Sequence, residues 1–438
     1  MSPPLRSLVF FLLSALIGIL GLPNYLCATP LSLNDCYQQV LERRETLKQR
    51  EADIEGAQAR YDQAVAELFP RVAINANQRY RDNPFYGSLT RGTFNDPSTG
   101  LPRSRVLGRS LSEVSATLSQ PLFRGFREFA LSRASEAEQA SLRQQLIRDR
   151  QLVYLDVADL FYQILLYQEQ ESALSRTQQT FRLRVKELKE FIALGKSKES
   201  EQFAAEAELA QQALTKEQTR RLLVASREVL SSLLGISVSD IELVQLQENQ
   251  AIPLVGQLLL KAKNRSDILA RQQSERMINE LISAEKRNWW PSLDLDLTSI
   301  QVDDPNRNRD WEALMRLSIP VFDGGRISSR VAEQQARLKR AQAESAEQYR
   351  IAEQEVRVSH QNLFHSHSAS KQARELLQAR QKSYLAQLSD YRSGRVTNLD
   401  VLNALSLLQQ SELSLIESRF TEANDHARLR VASGEINS

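Results

Sequence analysis

Two stretches of this chain, Phe126 to Leu194 and Arg326 to Ser393, contain neither glycine nor proline. Glycine and proline are the main helix breakers, so each stretch is free to form one helix of roughly seventy residues, about 100 Å long. A helix of that length outruns any globular core, and the chain is read as an elongated helical bundle. Each long stretch is followed by a second breaker-free run about half as long, Lys196 to Leu234 and Arg395 to Ser433. Each is preceded by another half-length run, Leu31 to Phe69 and Gln257 to Trp290. Two half-length helices placed end to end match one long helix, so the bundle closes.

The doubling of this pattern is an internal repeat. Gln120-Pro-Leu-Phe-Arg-Gly-Phe126 is similar to Ile319-Pro-Val-Phe-Asp-Gly-Gly325, an offset of 320 − 121 = 199. The same offset carries Gly195 onto Gly394 and Gly235 onto Gly434. Upstream, Phe69-Pro70 pairs with Trp290-Pro291 at 291 − 70 = 221, so the first copy holds 221 − 199 = 22 extra residues, all between Pro70 and Pro121. The reading is a leader over 1–28, a first repeat over 29–235, a linker over 236–255 and a second repeat over 256–438. Each repeat runs helix, strand hairpin, long helix, return helix.

The leader has one arginine, an apolar run from Leu8 to Leu22 and small residues near Cys27 and Ala28. That order is the pattern of a secretory signal, and the run is short for a spanning helix. Lipid attachment at Cys27 is disfavoured, because Asn24, Tyr25 and Leu26 supply no small residue directly before it. Cleavage after Ala28 leaves Cys36 alone, so no intrachain disulfide forms.

Within the helices, Ile54, Ala57, Tyr61, Ala64 and Leu68 recur at steps of three and four. Phe203, Ala207, Ala210 and Leu214 do the same, as do Val401, Leu405 and Leu408. These are coiled-coil seams with many small knobs, and stripes this narrow imply self-association. Around Pro70 and Pro121 the period changes to two. Val72, Ile74 and Ala76 alternate with polar neighbours, as do Val114, Ala116 and Leu118 before Pro121. In the second copy Leu293, Leu295 and Leu297 alternate with Asp294, Asp296 and Thr298, and Trp311, Ala313, Met315 and Leu317 alternate with Glu312 and Arg316. Strands of about ten residues with one apolar and one polar face suit a membrane barrel, apolar side to lipid. Four strands cannot close a barrel, and open edges in lipid are costly, so several chains must pool theirs; three chains give twelve. The competing reading is a small half-buried sheet in a soluble α+β protein. Asp294 and Asp296 are either an acidic lumenal ring of up to six carboxylates per trimer, favouring cations, or simply wetted residues of the polar face.

Lys+Arg at 56 against Asp+Glu at 54 leave a charge of +2, which argues against nucleic acid as a partner. His360, His365 and His367 do not share one helix face, which argues against a metal site. With three Met there is no basis for a thioether copper relay. Gly324-Gly325 lacks the remaining glycines of a nucleotide fingerprint, and no Ser, His and acid arrangement is discernible. The chain is read as neither an enzyme nor a cofactor binder.

The duplicated hairpins QPLFRGF and IPVFDGGR, the helix start NRSDIL from Asn264 and the segment YRSGRVTNLDVLNA from Tyr391 to Ala404 resemble the TolC-like outer-membrane efflux family over nearly the whole mature chain. The resemblance implies a mainly α fold: a trimeric α-barrel of long helical hairpins joined to a twelve-stranded transmembrane β-barrel. It implies a passive exit duct of a tripartite efflux or type I secretion system in the outer membrane, reaching into the periplasm. The implied partners are two further copies, a periplasmic adaptor, an inner-membrane transporter and outer-membrane lipid. Gly195 and Gly394 mark the hairpin tips that meet the adaptor. Tyr391 stands at the position of a tip-constricting tyrosine, Asp400 at that of an entrance-ring acid and Glu201 at that of a gating acid. There are departures: Asn403 replaces the second ring acid, and Val396 the basic gating partner, with Arg395 beside it. A Glu201–Arg395 pair is the expectation that follows. A periplasmic coiled-coil scaffold or adaptor without a channel is the alternative.

Overall fold

The computed structural model describes residues 31–80, 82, 86–87, 105–106, 110–237, 243–244, 251–302 and 310–436. The expected leader, with Cys27, lies outside the described residues.

The chain begins with α1 (Leu33–Arg43), set by a capping box in which Ser32 and Asp35 each accept a hydrogen bond from the other's backbone N–H. The run expected to be one helix is broken at Arg44, whose ψ of 111° is extended, and resumes as α2 (Glu45–Ala66). The second copy breaks at the matching place: α5 (Val255–Ala262) stops and α6 (Ser266–Lys286) follows Arg265, ψ 143°. The two breaks are 265 − 44 = 221 residues apart, the same offset that aligns the prolines. Neither break involves glycine or proline.

At the second break Arg265 is fully buried. Its guanidinium donates to Asp267 at 2.6 Å, to Glu355 at 2.7 Å and to the Ala432 carbonyl at 3.1 Å. Arg148 approaches the same two carboxylates, and Gln348 donates to Asp267. Burial raises the Asp267 pKa, but the two guanidiniums outweigh it and hold the acid below the usual carboxylate range. At the first break Arg44 has, among the described residues, one ion-pair partner, the half-exposed Asp156.

The long helices are α3 (Arg127–Ala193) and α7 (Arg326–Arg392), each of 67 residues, with return helices α4 (Glu199–Leu234) and α8 (Asn398–Ser433), each of 36. Both hairpins turn by the same device. Lys196 N–H reaches Phe191 O and Gly195 N–H reaches Ile192 O, and 199 residues later Arg395 N–H reaches Asp390 O and Gly394 N–H reaches Tyr391 O. Gly195 and Gly394 hold φ of 68° and 76°, the left-handed conformation this helix ending needs.

The apolar stripe expected on α4 is left uncovered in the single chain. Phe203, Ala207, Ala210 and Leu214 are all exposed, while Ala205, Gln212, Thr219, Leu223, Ser226 and Leu230 form the buried side. The inner stripe mixes small and polar residues toward the tip with leucines farther along. On α8 the expected Val401 and Leu405 are buried.

Four strands form one antiparallel sheet in the order β1 (Arg71–Tyr80), β4 (Ser110–Phe123), β5 (Ser292–Val302), β6 (Asp310–Ser318). A short pair, β2 (Tyr86–Gly87) with β3 (Arg105–Val106), lies between β1 and β4. From β1 to β4 there are 29 intervening residues and from β5 to β6 there are 7, a difference of 22 that matches the repeat offset. β4 does not stop before Pro121 as the alternation implied. It runs on to Phe123 with a register shift between Pro121 and Phe123. The last β1 partner is Ser119, so the missing N–H of Pro121 interrupts no bond to β1.

Contact density divides the molecule into two compact units. One holds α1, α4, the linker, most of α8 and the distal parts of α3 and α7. The other holds α2, the sheet, α5, α6 and the remaining parts of α3 and α7. Among the described residues no helix is long and apolar enough to cross a membrane.

Candidate functional site: a clasped helix tip and an open-edged sheet

At the hairpin tips four helices share a small apolar core of Phe181, Val185, Leu188, Ala205, Leu402 and Leu405, with Tyr384 against it. Arg184 interrupts the α3 side of that core: Thr177, Phe181, Arg184 and Leu188 follow steps of four, three and four, and all four are buried. The Arg184 guanidinium carbon lies 4.1 Å from the centroid of the Tyr391 ring. Its Nε donates to Asn398 Oδ1 at 2.8 Å and its Nη1 to Glu187 at 3.0 Å. Asn398, the first residue of α8 and fully buried, donates in turn to the Glu201 carbonyl at 3.5 Å. One guanidinium thus ties α3 to the end of α7 and the start of α8, and Asn398 extends the tie to α4. Burial raises the Tyr391 phenol pKa, against the pull of Arg184 and with the help of the Glu201 carboxylate.

The Glu201–Arg395 pair expected from the sequence does not form. Arg395 bonds Ser393 and Asp390, and the Glu201 carboxylate accepts from Ser197 at 2.8 Å. The turn at Gly394 points Arg395 back along α7, and Arg184 occupies the inner position instead. Asp400 makes the return half of a capping box, accepting from Thr397 N–H at 2.9 Å and Thr397 Oγ1 at 2.6 Å, while its own N–H donates to the Thr397 carbonyl. The Thr397 hydroxyl, then its N–H, lowers the Asp400 pKa. Its carboxylate remains exposed. The first copy lacks this cap, because Lys198 stands at the N-cap of α4 and makes no side-chain bond there. Arg184 and Asn398 were not singled out in the sequence. Their signal was present: an arginine on a buried heptad stripe, and an asparagine at the first helical position after the tip.

The sheet has a different character. Every residue of its edge strands β1 and β6 is exposed. Pairing puts Val72, Ile74 and Ala76 opposite Leu118, Ala116 and Val114, and continues through Leu297 and Leu295 to Ala313 and Met315. One face is therefore mainly apolar, interrupted by Gln120, Ser299 and Gln301. Aromatic residues bound it on both sides: Tyr80 and Trp311 toward the loops, Phe69, Trp290 and Phe322 toward the helices, all exposed. An apolar band between aromatic girdles is the outer surface of a membrane barrel. Asp294 and Asp296 sit on the opposite, polar face, and neither is free. Arg124 holds Asp294 at 2.9 Å, and Arg316 lies 3.8 Å from Asp296.

The histidines of α7 are separated in the structure as in the sequence: His360 faces the Pro253 carbonyl and His367 faces Glu422.

Comparison with known proteins agrees with this architecture. The family model described as outer membrane efflux protein matches residues 36–236 and 258–435. The outer membrane protein TolC of Salmonella enteritidis is 26% identical over 198 residues, and that of Escherichia coli (strain K12) is 25% identical over 201. Each match covers 42% of this chain, and the chain spans 40% and 41% of the length of these relatives. Among solved structures, CusC superposes with a TM-score of 0.78 at 17% identity, covering 92% of both chains. The outer membrane protein VceC of Vibrio cholerae gives 0.75 at 16%, over 92% of this chain and 96% of that one. The CmeC outer membrane channel of Campylobacter jejuni gives 0.74 at 18%, over 92% and 85%. At these identities the structures speak for the fold alone. The family match takes in both repeats from α1 to the end of α8, and the chain belongs to the outer membrane efflux protein family, located in the outer membrane and extending into the periplasm.

Proposed function

We propose that the chain is one of three subunits of a passive outer-membrane exit duct in a tripartite efflux or type I secretion system. The observation that carries this reading is the open-edged sheet: one face is mainly apolar and exposed, and both edge strands are unpaired in the single chain. In lipid each unpaired backbone group costs several kcal/mol, so β6 of one copy must pair with β1 of the next. Three copies supply 4 × 3 = 12 strands. The exposed α4 stripe from Phe203 to Leu214 is surface for the same assembly or for a periplasmic adaptor. Energy for export comes from an inner-membrane transporter.

In this reading Arg184 is the tip clasp. Tyr391 and Asn398 sit against it, and the exposed Asp400 carboxylates form the entrance ring. Opening requires the ends of α7 and α8 to leave Arg184. The test is the oligomeric state and single-channel conductance of the detergent-extracted mature protein in a planar bilayer. A trimer with small conductance, enlarged by removing Arg184, supports the duct. A water-soluble species without conductance favours the coiled-coil scaffold and ends the duct reading.

A further inference from the structure

The polar face of the sheet carries its charges in two bands. The band beside the helices holds Asp294 and Asp296, but also Arg124, Arg316 and Arg71. Arg124 is bonded to Asp294, Arg316 is in reach of Asp296, and Arg71 lies in the same cross-strand row as Ser119 and Asp296. Three arginines against two carboxylates leave 3 − 2 = +1 per chain. Toward the loops the polar face carries Glu113, in register with Asn77 and Val302, Glu312, in register with Thr298, Asp310, in register with Ile300, and one cation, Arg79, in register with Leu111; three carboxylates against one guanidinium give 1 − 3 = −2 per chain among the described residues. Neither glutamate has an arginine or lysine as its registered neighbour, and neither forms an ion pair among the described residues.

We infer that Glu113 and Glu312, and not Asp294 and Asp296, set the cation preference of the barrel lumen, and that the helix-side band is a weakly cationic collar. The inference rests on the barrel reading above, since it takes the polar face as lumenal. A carboxylate with a guanidinium within 4 Å, hydrogen-bonded at Asp294 and in ion-pair reach at Asp296, presents a dipole to a passing ion, and its field falls off within a few ångströms. A carboxylate without a counter-charge presents its full charge, screened only by water and salt. The loop-side band, net negative even with Arg79, thus attracts cations into the mouth, while the paired acids deeper in do not.

The test reads local potential directly, so that resistance at the helix tips does not mask it. Single cysteines are introduced as Thr298→Cys, beside Glu312, and Ser119→Cys, beside Asp296 and Arg71, in full-length protein reconstituted in lipid vesicles. Their rates of reaction with cationic and anionic methanethiosulfonates of similar size are compared; the parent protein, whose Cys36 is buried, is the blank. Thr298→Cys favours the cationic reagent by about fivefold, the effect of one nearby charge acting in opposite senses on the two reagents. Adding Glu312→Gln brings the ratio close to one. Ser119→Cys shows no cation preference. A Ser119→Cys preference as large as that at Thr298, or a ratio indifferent to Glu312→Gln, overturns the inference. Ala116→Cys, on the apolar face, separates this from failure of the barrel: if it reacts with both reagents as fast as Thr298→Cys, the polar face is not a lumen and the duct reading itself falls.

Discussion

Arg184 stacks its guanidinium 4.1 Å from the centre of the Tyr391 ring while the same group donates to Asn398. Two interactions of different kind converge on one side chain, so the loss of that side chain releases two helix ends together. Arg184→Met keeps an apolar stem for the core but removes both, and a markedly larger single-channel conductance is the expected result. Arg184→Lys keeps the charge and loses the planar fork, giving an intermediate value. A conductance equal to the parent in Arg184→Met removes the residue from the gate.

Asn398 is buried and faces the clasp from α8. Asn398→Ala leaves the Arg184 Nε without an acceptor in a dry site, a cost of about 1–3 kcal/mol. The double variant with Arg184→Met loses less than the sum of the two single variants, because one partner alone is worth little. Thermal melting of the four proteins, combined as a double-mutant cycle, measures the coupling. Additive losses would mean that the two side chains act separately.

Glu201 and Tyr391 separate by chemistry. The Glu201 carboxylate is bonded to Ser197, and what reaches Asn398 is its backbone carbonyl. Glu201→Gln therefore leaves conductance within about twofold of the parent, the scale of a surface charge change. Tyr391→Phe preserves the ring that Arg184 covers and also changes little, whereas Tyr391→Ala removes the face and opens the tip. Equal conductance for Tyr391→Phe and Tyr391→Ala contradicts this assignment.

The buried knot around Arg265 gives the protein an acid limit. The folded pKa of Asp267 lies below its unfolded value, so its contribution is complete above about pH 4 and is lost as pH falls through the lower, folded pKa. Asp267→Asn removes that part of the pH dependence. Glu355→Gln removes the more exposed of the two charge partners of Arg265, and costs about 1 kcal/mol, less than Asp267→Asn. Melting temperatures measured from pH 3 to pH 7 distinguish these cases. An Asp267→Asn curve parallel to that of the parent refutes the linkage.

Gly235 and Gly195 both end helices at positive φ, yet their surroundings differ. A Cβ at Gly195 meets nothing within 4 Å, while one at Gly235 would collide with the Arg43 guanidinium, which donates to the Gly235 carbonyl. Gly195→Ala costs only the left-handed backbone strain, about 1 kcal/mol. Gly235→Ala adds loss of the Arg43 bond, and melts at a lower temperature. The order of the two melting points is the check.

The architecture was legible because breakers are rare in this chain. Where glycine and proline mark the ends of α3, α4, α7 and α8, the boundaries read from sequence fall within a few residues of the observed ones. The break at Arg44 was invisible, because neither glycine nor proline marks it; its counterpart at Arg265 was signalled by the helix start NRSDIL from Asn264, but the burial of the arginine that holds it was not. The alternation of β1, β4, β5 and β6 was readable, but the passage of β4 through Pro121 depends on β1 having already ended, which no local pattern reveals. At the tip, Tyr391, Asp400 and Glu201 were placed by resemblance. Arg184 belongs to the other repeat, 391 − 184 = 207 residues away, and only packing brings it to Tyr391. The stripe from Phe203 to Leu214 had a readable period, but that the single chain leaves it uncovered was not readable, since periodicity identifies a face without saying what covers it.

The bare edges of β1 and β6 also bear on inheritance. In the proposed trimer every subunit lends one edge to each neighbour, so a copy with a damaged edge spoils two sound ones. In a cell making intact and damaged chains in equal amounts, roughly one trimer in eight would be free of damage if assembly is random. Lesions in these strands would then behave as dominant alleles, and lesions confined to the interior of a single chain's helices as recessive ones.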